Sequence, residues 1–132
     1  MRRALAVLVV LTAVLGLAAC GSSKPKTEAP PPPTDMRGKT EVEIPANGNQ
    51  FHPASIIIDA GTKVTWRNAD AVAHNVKKTA DAVDFGAPFG VNSDEFGPGK
   101  TYSFTFTKPG TYFYECTIHA GMKGQVEVRA KT

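Results

Sequence analysis

Histidine and cysteine are scarce in this 132-residue chain, which has three of the first and two of the second. No Cys-x-x-Cys-His occurs, so covalent haem attachment is excluded. No Ser/His/Asp constellation and no paired acidic motif stands out, which leaves hydrolytic chemistry without its usual groups. Only Met36 and Met122 follow the initiator, so a methionine-rich segment is missing. The net charge of +3 is misplaced for nucleic acid: from residue 40 onward nine Lys and Arg face ten Asp and Glu. No basic stripe remains to meet phosphates, and no nucleic-acid partner is expected. No apolar run reaches the ~20 residues of a comfortable membrane span, and no long stretch keeps a helical period.

What is present begins with a targeting signal. Arg2 and Arg3 precede an almost wholly apolar run from Ala4 to Ala19, which ends in Leu17-Ala18-Ala19-Cys20. A positive start, a short apolar stretch and small residues at its end describe a secretory signal peptide. The ending resembles the bacterial lipoprotein box, in which the cysteine is lipidated and becomes the first mature residue. An ordinary signal cut nearby, or an uncleaved anchor, stays open at this point. The expected organisation is a signal peptide over 1–19, a lipidated Cys20 with a Pro-rich flexible linker over 20–39, and a folded domain over 40–132. Pro25 and Pro30-Pro31-Pro32-Pro33 favour extended polyproline conformation, which at about 3.1 Å per residue lets the linker span roughly 55 Å. The expected location is extracytoplasmic, lipid-anchored to the bacterial membrane, in the periplasm or at the cell surface.

From residue 40 the signals are those of strands. Glu41-Val42-Glu43-Ile44, Lys63-Val64-Thr65-Trp66 and Tyr102-Ser103-Phe104-Thr105-Phe106 alternate apolar with polar residues, the period of a half-buried strand. Ile56-Ile57-Ile58 suits a strand buried on one face and partly covered on the other. Tyr112-Phe113-Tyr114 and Gln125-Val126-Glu127-Val128 supply two more. Asn47-Gly48-Asn49, Ala60-Gly61, Gly97-Pro98-Gly99-Lys100 and Lys108-Pro109-Gly110 are turn chemistry. Short strands at this spacing predict an all-β antiparallel sandwich or barrel. Residues 78 to 96 read as irregular, either a long loop or one holding a short helix.

The chemistry is concentrated in Tyr114-Glu115-Cys116-Thr117-Ile118-His119-Ala120-Gly121-Met122-Lys123-Gly124. Cys116 ends an aromatic strand, and His119 and Met122 follow at intervals of three before the next strand begins. A hairpin loop of this kind can aim a thiolate, an imidazole and a thioether at one centre. His74, at the end of another strand, is the best source of a second imidazole. Two imidazoles, one thiolate and a weak thioether form the ligand pattern of a blue-copper electron-transfer site. Structural zinc favours a closed set with more thiolates. Taken singly, each residue has a plainer reading: Cys116 as a small buried hydrophobe, Met122 as core filler, His74 as a structural histidine. Together in an exported chain they argue for a metal, because a lone thiol is seldom kept there without a use. A Cys20–Cys116 disulfide would abolish such a site. His52 lies outside both ligand segments and reads as a loop residue.

The chain resembles the cupredoxins of the plastocyanin and amicyanin type. The resemblance rests on Phe51-x-Pro53, Gly61-x-x-Val64-Thr65-Trp66-x-Asn68, His74-Asn75-Val76, Phe96-x-Pro98-Gly99 and Pro109-Gly110-x-Tyr112. It closes on Tyr114-x-Cys116-x-x-His119-x-x-Met122-x-Gly124-x-Val126-x-Val128. It implies a Greek-key β-sandwich with one copper ion held at one end by His74, Cys116 and His119, with Met122 as the weak ligand. Asn75 is then expected to hydrogen-bond between the two ligand loops. The two spacers between His119 and Met122 match the short amicyanin-like loop, although Ile118 and Ala120 stand where such loops usually carry prolines.

The function implied is that of a mononuclear blue-copper protein, cycling between Cu(I) and Cu(II) and carrying single electrons between redox proteins. Donor and acceptor are expected to bind transiently, with the edge of His119 as the electron port and a monomer as the expected state. The alternative is an extracytoplasmic copper chaperone or storage protein. Enzyme readings lack their residues: three histidines cannot build an oxygen-reducing cluster, and no two neighbouring cysteines exist to hold a binuclear copper centre.

Overall fold

The computed structural model describes residues 29–79, 89–90 and 93–132, and the folded unit runs from Pro31 to Thr132. The expected signal peptide, the lipidation site Cys20 and the linker up to residue 28 lie outside the described residues. So does most of the segment expected to be irregular between 78 and 96. No helix occurs among the described residues; nine strands do.

The strands are β1 (Thr34–Asp35), β2 (Glu41–Asn47), β3 (Gln50–Phe51), β4 (Ser55–Asp59), β5 (Thr62–Asn68), β6 (Lys77–Lys78), β7 (Thr101–Phe106), β8 (Gly110–Glu115) and β9 (Lys123–Arg129). They form a five-stranded sheet in the order β1-β4-β9-β8-β6 and a four-stranded sheet in the order β3-β2-β5-β7. Alternation buries one face of each. Val42, Ile44 and Ala46 of β2, Val64 and Trp66 of β5 and Phe106 of β7 turn inward from one sheet. Ile56 and Ile58 of β4, Tyr112 and Tyr114 of β8, and Val126 and Val128 of β9 do so from the other, and all join one core. Trp66 and Tyr114 meet edge to face at its centre, ring centroids 5.2 Å apart.

Two findings differ from the antiparallel sandwich expected. β2 pairs with β5, and β4 with β9, in parallel, so both sheets are mixed. Alternation specifies which face of a strand is buried, but it is the same for parallel and antiparallel partners. Pairing also begins earlier than residue 40: Thr34–Asp35 runs parallel to Ile56–Ile57, and the Met36 N–H donates to Ile57 O at 2.8 Å. A two-residue strand is too short to show a period.

Turn chemistry places the rest. Gly48 and Asn49 both have positive φ (62° and 56°) between the paired Asn47 and Gln50, a two-residue hairpin turn of the type favoured by strand twist. Phe89, in the segment read as irregular, is fully buried and packs among Trp66, Phe104, Phe106, Tyr112 and Tyr114 at centroid distances of 5.1 to 6.0 Å.

Candidate metal centre

Cys116 directly follows β8 and Met122 directly precedes β9, whose last pair is Glu115 with Lys123. The Cys116 N–H donates to the Met122 carbonyl at 2.9 Å, so the ladder continues one rung into the loop. Inside it the Met122 N–H reaches back to His119 O at 3.3 Å over Gly121, whose φ is 82°. Residues 119–122 therefore make a tight turn of the kind that requires a positive φ at its third position. These two backbone bonds close the loop on itself.

His74 arrives from the segment between β5 and β6. Its backbone forms a two-hydrogen-bond bridge with Phe96, at 3.2 and 2.8 Å. Next to it, the Asn75 side chain donates from Nδ2 to Thr117 Oγ1 and accepts the Thr117 N–H at Oδ1, both at 2.9 Å. One amide thus ties the two ligand-bearing segments together immediately beside Cys116.

These supports bring three donors to one point. Cys116 Sγ lies 3.8 Å from His74 Nδ1 and 3.6 Å from His119 Nδ1, and the three ligand atoms lie within 4.8 Å of one another. His74 and Cys116 are buried, His119 is partly so, and Cys116 is a free thiol. One ion bonded to a thiolate at ~2.3 Å and to imidazoles at ~2.0–2.1 Å holds sulfur and nitrogen about 3.5–3.8 Å apart at tetrahedral to trigonal angles. The two sulfur–nitrogen separations match, so the residues present fit a single transition-metal ion. A set of two imidazoles and one thiolate favours copper. Met122, 1% exposed, is buried at the end of the same loop. His52 stands away from these three: its ring Nε2 lies 3.1 Å from Asn47 O in an exposed loop.

Sequence reasoning missed Asp70. Its Oδ2 lies 2.9 Å from His74 Nε2, and its carboxylate accepts the backbone N–H groups of Gly48 and Asn49 at 2.8 and 3.0 Å. The bonds from Asn49 and Gly48, with that from His74, hold its carboxyl below the usual carboxylate range. The only signal in the chain was its position four residues before His74. Sequence reasoning also assigned no role to Thr117, or to Ser93, whose Oγ accepts the Val76 N–H at 2.9 Å.

Comparison with known proteins agrees with this geometry. A family profile described as copper binding proteins, plastocyanin/azurin family, matches residues 38–129. Amicyanin-alpha of Methylorubrum extorquens is 39% identical over 127 residues, covering 93% of each chain. Plastocyanin A/B of Petroselinum crispum is 39% identical over 90 residues, covering 61% of this chain and 89% of its own. Among solved structures, a methionine-to-glutamine mutant of amicyanin in its Cu(I) form superposes with a TM-score of 0.57 at 28% identity, over 68% of this chain and 83% of the other.

Proposed function

Because the chain belongs to the plastocyanin/azurin family of copper-binding proteins, and so is a cupredoxin rather than an enzyme, we propose that it carries single electrons between extracytoplasmic redox proteins at a mononuclear blue-copper site. His74, Cys116 and His119 are the strong ligands in this reading, and Met122 is the weak one. The observation that carries it is the placement of Cys116 Sγ within 3.8 Å of two imidazole Nδ1 atoms. When bound, copper supplies a one-electron change between its +2 and +1 states.

The protein's part is to keep its donors still. Cys116 is fixed by the ladder bond to Met122, His74 by its bridge to Phe96, and the two segments by Asn75. Donors locked by packing and by hydrogen bonds behind them need little rearrangement when the charge changes, which keeps electron exchange fast. His119 is the partly exposed member of the set, beside exposed Ala120 and Gly121. Its edge is therefore the port, with small neighbours that allow close approach in a small, transient complex. Leu17-Ala18-Ala19-Cys20 supports attachment through a lipidated Cys20, with the residues before Pro31 as tether and membrane attachment made stable by more than one acyl chain.

A visible absorption spectrum of the Cu(II)-loaded chain, repeated with Cys116→Ser, tests the proposal. An intense blue thiolate band is expected to vanish in the variant and to bleach with a mild reductant. A pale or colourless wild type would instead favour a copper chaperone or a storage protein.

A further inference from the structure

Asp70 is placed to act on the metal through His74. A neutral imidazole has one nitrogen that donates and one that accepts. His74 is fully buried, its Nε2 faces Asp70 Oδ2 at 2.9 Å and its Nδ1 faces Cys116 Sγ at 3.8 Å. An ionised carboxylate can only accept, so the proton must sit on Nε2, and the Nδ1 lone pair is then free for a metal.

The carboxylate is itself held. Gly48 and Asn49, with successive positive φ, turn two backbone N–H groups toward Asp70, at 2.8 Å to Oδ1 and 3.0 Å to Oδ2. Consecutive N–H groups of this kind form a small concavity that favours an anion. From the other side, the Asp70 N–H donates to Asn68 Oδ1 at 2.8 Å, and Asn68 Nδ2 donates to Val72 O and Phe96 O at 2.7 and 2.9 Å. The β2–β3 hairpin thus reaches the metal site through one side chain.

We propose that Asp70 is a positioning residue of the copper centre, one that selects the His74 tautomer and lowers the reduction potential through its fixed negative charge. This rests on the copper reading above. A backbone carbonyl at the same place would fix the tautomer equally well, whereas a carboxylate also favours the more positively charged Cu(II). Its side chain is only 16% exposed, so water does not fully screen the charge.

The test compares full-length wild type with Asp70→Asn, which removes the charge but leaves an oxygen able to accept from the ring. At a fixed electrode potential the Cu(I) to Cu(II) ratio should rise about tenfold, a positive shift of roughly 59 mV for a one-electron couple, with the blue band retained. A ratio unchanged within twofold beside a retained band would overturn the inference and leave Asp70 a structural tie. Nitrogen-15 NMR of the metal-free chain gives a second readout. His74 should be the Nε2–H tautomer in wild type and a mixture in Asp70→Ala, and an unmixed Nε2–H tautomer in the variant would overturn it as well. A wild type with no thiolate band would overturn the copper reading itself, and this inference with it.

Discussion

Cys116 and Met122 close their loop on each other: the N–H of the first meets the carbonyl of the second at 2.9 Å, one rung beyond the last pair of β8 and β9. The ligand loop is therefore an extension of a sheet and not an appendage to it. Its geometry inherits the stiffness of the strands on either side.

Gly121 is the point where that loop turns. A Cβ there would meet nothing within 4 Å, yet its φ of 82° is a conformation side chains resist. Gly121→Ala should cost about 1 kcal/mol of stability and raise the rate of copper loss to a chelator. Urea unfolding of the metal-free chain and chelator kinetics of the loaded one measure the two effects. Unchanged values in both would mean that the turn does not constrain the ligands.

Asn75→Ala removes both bonds to Thr117 and leaves the Thr117 N–H without its side-chain partner. Losing a hydrogen bond and stranding a partner costs about 1–3 kcal/mol. Thr117→Val, which removes only the Oγ1 acceptor, should cost less. Copper should leave Asn75→Ala faster than Thr117→Val, and equal rates in a stopped-flow chelation experiment would refute a clamp role.

Gly124 pairs with Tyr114 across β8 and β9, and a Cβ on it would overlap the Tyr114 ring. The ring lies where a side chain would stand. Gly124→Ala must displace a fully buried aromatic, an overpacking cost of about 1–3 kcal/mol. Equilibrium unfolding measures it.

Burial pushes the Tyr114 phenol well above its ordinary value. The unfolded chain ionises this group from about pH 10, so the folded state binds more protons there and stability falls as pH rises. Burial raises Tyr102 and Tyr112 as well, so the informative quantity is the difference between wild type and Tyr114→Phe. Between pH 10 and 11 wild type should lose about 1 kcal/mol more than the variant. Urea unfolding at pH 9, 10 and 11 checks it, and parallel curves would contradict it.

Much of this was legible in the sequence because it depends on short-range pattern. Alternation located β2, β5, β7 and β9, and the runs Ile56-Ile57-Ile58 and Tyr112-Phe113-Tyr114 located β4 and β8. Cys116, His119 and Met122 stand at close spacing in one loop, which made their grouping readable without a fold. Three things were not legible. Parallel pairing joins strands distant in sequence and leaves no mark on either. Asp70 is an ordinary acid in a turn until the Gly48–Asn49 hairpin folds against it, and only then does it point at His74. Phe89 was hidden for a similar reason: Phe85, Phe89 and Phe96 all stand in the segment read as irregular, and nothing local singles out the one that packs against Trp66.

The pairing of Thr34–Asp35 with β4 has an effect at the rim of the five-stranded sheet. Without it, β4 would be the outermost strand and would present open backbone donors and acceptors to any extended chain nearby, the usual starting point for strand addition and fibre growth. The parallel rung and the Met36 hydrogen bond to Ile57 cover part of that border. A chain cut after Met36 would keep its buried residues and its three metal donors, but it would carry an adhesive margin.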